Sequence, residues 1–581
     1  MSLAQHVTAS EGVDREVTGD DDESIRLWRP LSYNPLAPTD PLESPEQIAG
    51  PLPHIAAYKV STAKRLAQVV FGATLCCLAS GIVFGFASLK PVLVAEGVYS
   101  ELCGNTPTTG KPLHAVLCPE QDMRLNLSFV SASMVANMSS LFAGYSLDHY
   151  GRRVCYVAAA IFIATGCVLL GYAFTITKFD GYILGNVILS LGGTFLFVPS
   201  FELANAFPKH SGLVVSIITG SFDASAAVFL LYRLAWEATN GSFTPSQFFF
   251  AYIAVPVVVL VGEFAFMPRC AYQTTPDLEQ KVEKANDATC DFHDSDQEIG
   301  NPAEIQHVRN SRTDRRLLKL GQIEDILGDA GEREERAQKK EEIQLTSGVW
   351  GVLHGLPAHR QMMTAWFILI LLLTIVQMVK MNIFISTIRS QYRYLLQSDE
   401  DAEAISNFFG IALPLGGIVT TPFIGLLLNS LSVTAIIGVL TGLIAMIGIL
   451  NCFPFAWAGY TTVILFVIFR PLYYSAMCDY TTKVFGFATF GRLYGTITCI
   501  SGVLTFSQYG LDALVHGPFG GDPTPINIVL AVAGTAIGLL LTFHVAMKSK
   551  GYQEAVQQTS YSSEEYTRLI SGRDEGYRAV V

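Results

Sequence analysis

Charge is scarce in this sequence: Asp, Glu, Lys and Arg make up 15% of its 581 residues, whereas half are hydrophobic. That balance is too apolar for a water-soluble chain of this length. Also missing are a G-x-x-x-x-G-K-[ST] loop and an H-E-x-x-H pair, so ATP-driven pumping and zinc hydrolysis have no sequence support. No catalytic residue, metal site or cofactor is expected. The first thirty residues, with the run Asp20, Asp21, Asp22, Glu23, have neither an apolar h-region nor an Arg-rich, acid-poor pattern, so no cleaved targeting segment is evident. The net charge of −12 gathers in the amino-terminal arm, the centre and the tail, and nucleic acid is not an expected partner.

What the chain does have is apolar runs of roughly 20 residues, the length that crosses a hydrocarbon layer of about 30 Å. Twelve are predicted, near 67–90, 127–147, 154–176, 181–206, 212–236, 247–268, 364–388, 404–428, 432–452, 457–479, 491–514 and 525–547. They form two sets of six around a polar centre that contains Glu332, Arg333, Glu334, Glu335 and Arg336, read as solvated helix or disorder. The expected fold class is an all-α membrane protein with twelve transmembrane helices in two six-helix bundles. Its predicted divisions are a mostly disordered cytoplasmic arm at 1–65, a first bundle at 66–269, a cytoplasmic linker at 270–360, a second bundle at 361–547 and a cytoplasmic tail at 548–581. Paired hexads with a long polar connection are the hydropathy signature of carriers whose site lies between two bundles.

Arg152, Arg153, Lys209, Lys483, Arg492, Lys548 and Lys550 fall in loops on one side, which places that side in the cytoplasm. Lys178, Arg389 and Arg393 oppose the bias. With this orientation Cys103 and Cys118 lie in the first outer loop, in an oxidising compartment. The reading there is a disulfide between them, with two free thiols as the alternative.

Few charges fall inside the spans, where each needs a partner or a wet cavity. At about 1.5 Å per residue, Asp223 lies about 18 Å from the inner end of the fifth run and Arg470 about 20 Å from the outer end of the tenth. An acid and a base at one depth on opposite halves suit a zwitterion, with Arg470 taking its carboxylate and Asp223 its ammonium; the alternative is a structural interhelical bond. Gln377, Asn382, Tyr473 and Tyr474 are candidate cavity-lining groups, or ordinary helix–helix hydrogen bonders. Glu202 and Asn205 are read as gate or capping residues, and Lys380 as a side chain that snorkels toward the outer interface.

The sharpest local signal is Gly144-Tyr145-Ser146-Leu147-Asp148-His149-Tyr150-Gly151-Arg152-Arg153 between the second and third runs. This G-x-x-x-D-x-x-G-R-R pattern resembles the signature loop of the major facilitator superfamily. Gly144 would permit close helix approach, Gly151 would supply a turn at positive φ, and Asp148 would latch onto the amino terminus of the eleventh run. Arg152 and Arg153 would complete that charge network or serve only as cytoplasmic anchors. The matching place in the second half holds Asn429 and no arginines.

Two further stretches narrow the resemblance: Asn205-Ala206-Phe207-Pro208 through Ser221-Phe222-Asp223-Ala224-Ser225, and Phe469-Arg470-Pro471-Leu472-Tyr473-Tyr474 through Phe485-Gly486-Phe487 to Gly495. With the outer-loop cysteines they look like the solute carrier 43 family of large neutral amino acid transporters and its fungal relatives. The resemblance implies alternating-access transport of neutral amino acids through a lipid bilayer. It also admits a purine nucleobase substrate, because one branch carries those. A carrier fold turned nutrient receptor, without flux, is a further alternative. In the tail, Glu565, Leu569 and Ile570 fit an acidic dileucine pattern that a sorting adaptor could read, so the expected residence is the plasma membrane or a vacuolar or endosomal membrane.

Overall fold

A computed structural model describes residues 55–549 except 104–117, 177–179, 269–270, 275–277, 280, 283–285, 287–301, 330 and 339–347, and except the side chains of Asp148, Pro422, Asn429, Phe487 and Ala488. The acidic arm and the tail pattern at Glu565, Leu569 and Ile570 lie outside the described residues, as does the side chain of Asp148 on which the latch reading rests.

Among the described residues, ten helices are long and apolar enough to cross a membrane, and a bent pair makes an eleventh. In chain order these are span 1 (Thr62–Ala79 with Ile82–Ala95, bent by 46°), span 2 (Pro119–Leu147), span 3 (His149–Ala173), span 4 (Tyr182–Ala206), span 5 (Pro208–Ala238), span 6 (Pro245–Ala265) and span 7 (Ala365–Leu396). Then follow span 8 (Asp399–Ser430), span 9 (Val433–Leu450), span 10 (Ala456–Phe485) and span 12 (Thr524–Ser549). The remaining predicted run, here span 11, comes as two helices, Phe487–Leu504 and Gln508–His516, joined by the 3-10 turn Thr505–Ser507. Arg492 and a series of Thr and Ser residues dilute its hydropathy.

Apolar side chains point both inward and outward, since Phe142, Leu231, Phe264, Phe423, Leu426 and Val529 are all exposed on the surface. In water such a perimeter would be an aggregation hazard; against lipid it is the required surface. The chain is an integral, multi-pass membrane protein.

Two ends of the molecule are told apart by what they carry. Spans 2 and 3 meet in a turn where Gly151 has φ +77°, the left-handed backbone expected of it; this is the turn end. At the opposite end Cys103 and Cys118 are joined as a disulfide, with Cα atoms 5.7 Å apart. Beside it the Tyr99 hydroxyl donates to Asp180 at 2.6 Å. Burial, and after it Asp180, push that phenol well above its ordinary value, so it stays a donor.

The polar centre carries a helix of its own. Pro302–Leu327 forms a helix whose Ile323 and Leu327 pack with Leu278, Val282, Tyr58 and Leu320 in a small separate core. Ile55 pairs with the chain beyond span 6 in a parallel bridge: its amide donates to Ala271 O at 2.9 Å, and Gln273 N donates back to Ile55 O at 3.0 Å.

Candidate functional site

Spans 1 and 5 are both interrupted, and the interruptions touch. Span 1 ends its first helix at Ala79 and resumes through a 3-10 turn at Ile82–Gly85. Span 5 breaks between Ala224 and Ala227. The amide of Gly81, freed by the first break, donates to Ser225 Oγ at 2.8 Å, and that hydroxyl donates to Phe222 O at 2.6 Å. One serine thus satisfies the buried groups of two broken helices, as irregular backbone at membrane depth demands. The contact needs glycine: a Cβ on Gly81 would stand 2.6 Å from Phe222 O, and one on Gly85 would meet Ala226 O.

Asp223 sits at the end of the first helical piece of span 5. Its carboxylate is ion-paired with the Arg470 guanidinium of span 10, and both side chains are at least nine-tenths buried. Arg470 also lies over the Phe84 ring, 4.7 Å from its centroid, a cation–π contact from the interruption of span 1. Phe84 and Phe222 meet at 5.7 Å. From span 8, Gly417 closes the floor: a Cβ there would collide with the Asp223 side chain. The arrangement is one acid, one base, two rings and a pair of broken helices, with the two charges donated by opposite bundles.

Asn382 of span 7 also bridges the bundles, donating to Ser133 Oγ of span 2 at 3.0 Å. Tyr474 follows Arg470 by one turn and is half-buried. Two other expected cavity residues lie elsewhere. Gln377 is buried inside the second bundle against Gly534 of span 12, because five residues turn a helix about 140° and cannot put Gln377 and Asn382 on one face. Tyr473 points into the same bundle, where its hydroxyl donates to Thr374 Oγ1 at 2.9 Å. Lys380 does not snorkel either: its ammonium turns inward and donates to Ile444 O at 3.3 Å.

Toward the disulfide end the bundles are stitched together. Lys90 of span 1 is ion-paired with Asp122 of span 2 and donates across the interface to Ser386 O of span 7 at 2.7 Å. His516 Nε2 of span 11 lies 3.3 Å from Asp122 Oδ2, and Asn126 Nδ2 donates to Asp512 Oδ2 at 3.1 Å. Arg233 of span 5 approaches Glu403 of span 8 at 3.8 Å, while Arg389 holds the same carboxylate at 2.9 Å.

The turn end is wired differently. Arg152 donates to Glu263 of span 6 at 3.0 Å and to Pro268 O at 2.7 Å, and Arg153 lies 3.7 Å from the same fully buried carboxylate. These pairs stay within the first bundle. Gly144 has open space beside it among the described residues, so close helix approach is not its role in this conformation. Glu202 and Asn205 fall in the 3-10 stretch Phe201–Ala206 ending span 4. There Arg65 of span 1 donates to Ala206 O at 2.7 Å. Asn205 is buried.

Sequence reasoning passed over Glu263, Lys90, Asp122 and Asp512. Lys90 and Asp122 were legible as an acid and a base bordering neighbouring predicted runs. Glu263 lay inside a predicted run and carried the same warning as any charge in lipid.

Residues 69–507 match the family profile described as Major Facilitator Superfamily. The chain is 36% identical over 494 residues to "Protein FMP42" of Saccharomyces cerevisiae, covering 83% of this chain and 94% of that one. It is 24% identical to "Equilibrative nucleobase transporter 1" of Bos taurus, over 82% of this chain and 94% of the relative. Over 170 residues, 27% of this chain and 30% of the relative, it is 32% identical to "Large neutral amino acids transporter small subunit 3" of Homo sapiens. Among solved structures, the POT family transporter PepTSo superposes with a TM-score of 0.52 at 11% identity, over 83% of this chain and 98% of that one.

Proposed function

Since this chain belongs to the major facilitator superfamily and is a transporter of that type, we propose that it carries a large neutral amino acid across the bilayer by alternating access. The observation that carries the reading is the buried Arg470–Asp223 pair joining the two bundles. A zwitterion can replace that bond with two: its carboxylate takes the planar fork of Arg470 and its ammonium takes Asp223. The exchange costs little charge desolvation, because both groups are already buried and each keeps an opposite charge. Phe84 and Phe222 then offer apolar surface to the substrate side chain, and the amides and hydroxyl at the two helix interruptions offer polar contacts at the same depth.

On this reading the disulfide end faces the oxidising side, and the bonds around Lys90, Asp122, Asp512 and His516 form the outer seal. Gly144, Asp148, Gly151, Arg152 and Arg153 form the inner gate region, with Glu202 and Asn205 beside it.

A purine nucleobase is the second reading, favoured by the bovine relative that matches over most of the chain and by the two rings beside Arg470. Uptake of labelled leucine, methionine, phenylalanine and adenine into proteoliposomes decides between them. Leucine uptake that survives intact in both Asp223→Asn and Arg470→Gln overturns the amino-acid reading. Binding without flux in the wild-type chain identifies a receptor.

A further inference from the structure

The second bundle contains a polar chamber of its own, away from Asp223 and Arg470. Spans 7, 9, 10 and 12 enclose a cavity lined by Gln377, Lys380, Asn451 and Asn527 together with Phe466, Phe469 and Ile444. Its space fits about one water-sized group. Lys380 turns its ammonium into this chamber, where its partner among the described residues is the Ile444 carbonyl. Among the described residues no carboxylate lines the chamber. One helical turn before Lys380, Gln377 is 1% exposed, and neither its amide nitrogen nor its amide oxygen has a hydrogen-bond partner among the described residues.

A half-buried ammonium with no carboxylate beside it and a buried amide with both ends open are each costly. They stand on the same face of one helix and look into the same small space, so one guest can satisfy both. The guest that does so is an acceptor carrying negative charge and small enough for the chamber. We infer that the second bundle holds a small monovalent anion, of the size of chloride, bound by Lys380 Nζ and the Gln377 amide.

A neighbouring cavity adjoins the chamber. It is lined by Asp512, His516, Thr387 and Gly521 and lies toward the disulfide end, and Gln391 and Asn527 line both spaces. Asn451 and Asn527 each donate to Gln391 Oε1 at 3.1 Å, which makes a polar partition where apolar side chains would form a plug. The site is independent of the substrate reading, since it shares none of its residues.

The test uses the purified full-length chain in detergent, at constant ionic strength, with sodium gluconate exchanged for sodium chloride. Saturable binding of radiolabelled chloride, near one ion per chain, and a rise in the thermal unfolding midpoint with chloride, bromide or nitrate but not gluconate are expected. Lys380→Met should abolish both effects. Gln377→Leu should raise the half-saturating chloride concentration about tenfold, the worth of one hydrogen bond to a charged group. Absence of saturable chloride binding in the wild-type chain, or its persistence in Lys380→Met, overturns the assignment. Should Lys380→Met not be recovered folded, the Gln377→Leu titration decides, and an unshifted curve there counts against the site.

Discussion

The two ends of the molecule use buried charge in opposite ways. At the disulfide end, charged and polar side chains meet across the bundle interface: Asp122 with His516, Asn126 with Asp512, Arg233 with Glu403. At the turn end, Arg152 and Arg153 converge on Glu263 without leaving their own bundle. The first set depends on how the bundles are placed against each other, whereas the second does not. A transporter that opens to alternate faces needs both: bonds that can part without unfolding either half, and bonds that keep each half intact while they do.

Substitutions at the two ends should therefore read out in different assays. The largest effect is expected midway between them. Arg470→Gln leaves Asp223 as an uncompensated buried charge, a loss of about 3 to 5 kcal/mol when one partner of a buried pair is removed. Transport in proteoliposomes should fall at least a hundredfold while the protein remains in the membrane. Glu263→Gln comes next. It strands Arg152, so a loss of about 3 kcal/mol in stability is expected, measured as a lower thermal midpoint in detergent. An unchanged midpoint would erase the distinction drawn between the ends.

The disulfide sharpens the comparison from another side, since it closes a loop within the first bundle and crosses no interface. Cys103→Ser with Cys118→Ser should cost about 3 kcal/mol for a loop of this size, seen as earlier unfolding under non-reducing conditions, with the balance between open and closed states untouched. Asp122→Asn should move that balance and, because its ion-pair partner Lys90 lies in the same bundle, lower the unfolding midpoint as well. It weakens the contacts to Lys90 and His516, and a shift of about 1 to 2 kcal/mol, roughly five- to thirtyfold in population, is expected toward the state open at the disulfide end. Distances between spin labels on spans 2 and 11 at that end would report it.

Most of the helical layout could be read from the sequence, because length and apolarity set a span directly. So could the pairing depth of Asp223 and Arg470, the disulfide and the left-handed backbone at Gly151. The misses have particular causes. Span 2 begins at Pro119 and not near 127, since Asp122 and Arg124 disguise its first turns as loop; that hid Asp122 as an interface residue. Gln377 and Tyr473 are expected to share one cavity with Asn382 and Tyr474, but their helix faces turn them into the second bundle, where Gln377 lines the smaller chamber and Tyr473 bonds Thr374. The interruptions in spans 1 and 5 carry no Pro at the break, so hydropathy runs straight through them, and only the contact of Gly81 with Ser225 reveals why both helices stop.

The bridge between Ile55 and the chain at Ala271 to Gln273 has a mechanical corollary. It cinches the strand entering the first bundle to the strand leaving it, so that this bundle is a closed hoop rather than an open string of helices. Tyr58 continues the cinch into the small core under Pro302–Leu327, which makes that helix a passenger of the first bundle. If the two halves rock, the passenger travels with one of them, and anything grasping it from the aqueous side would sense the cycle as a displacement.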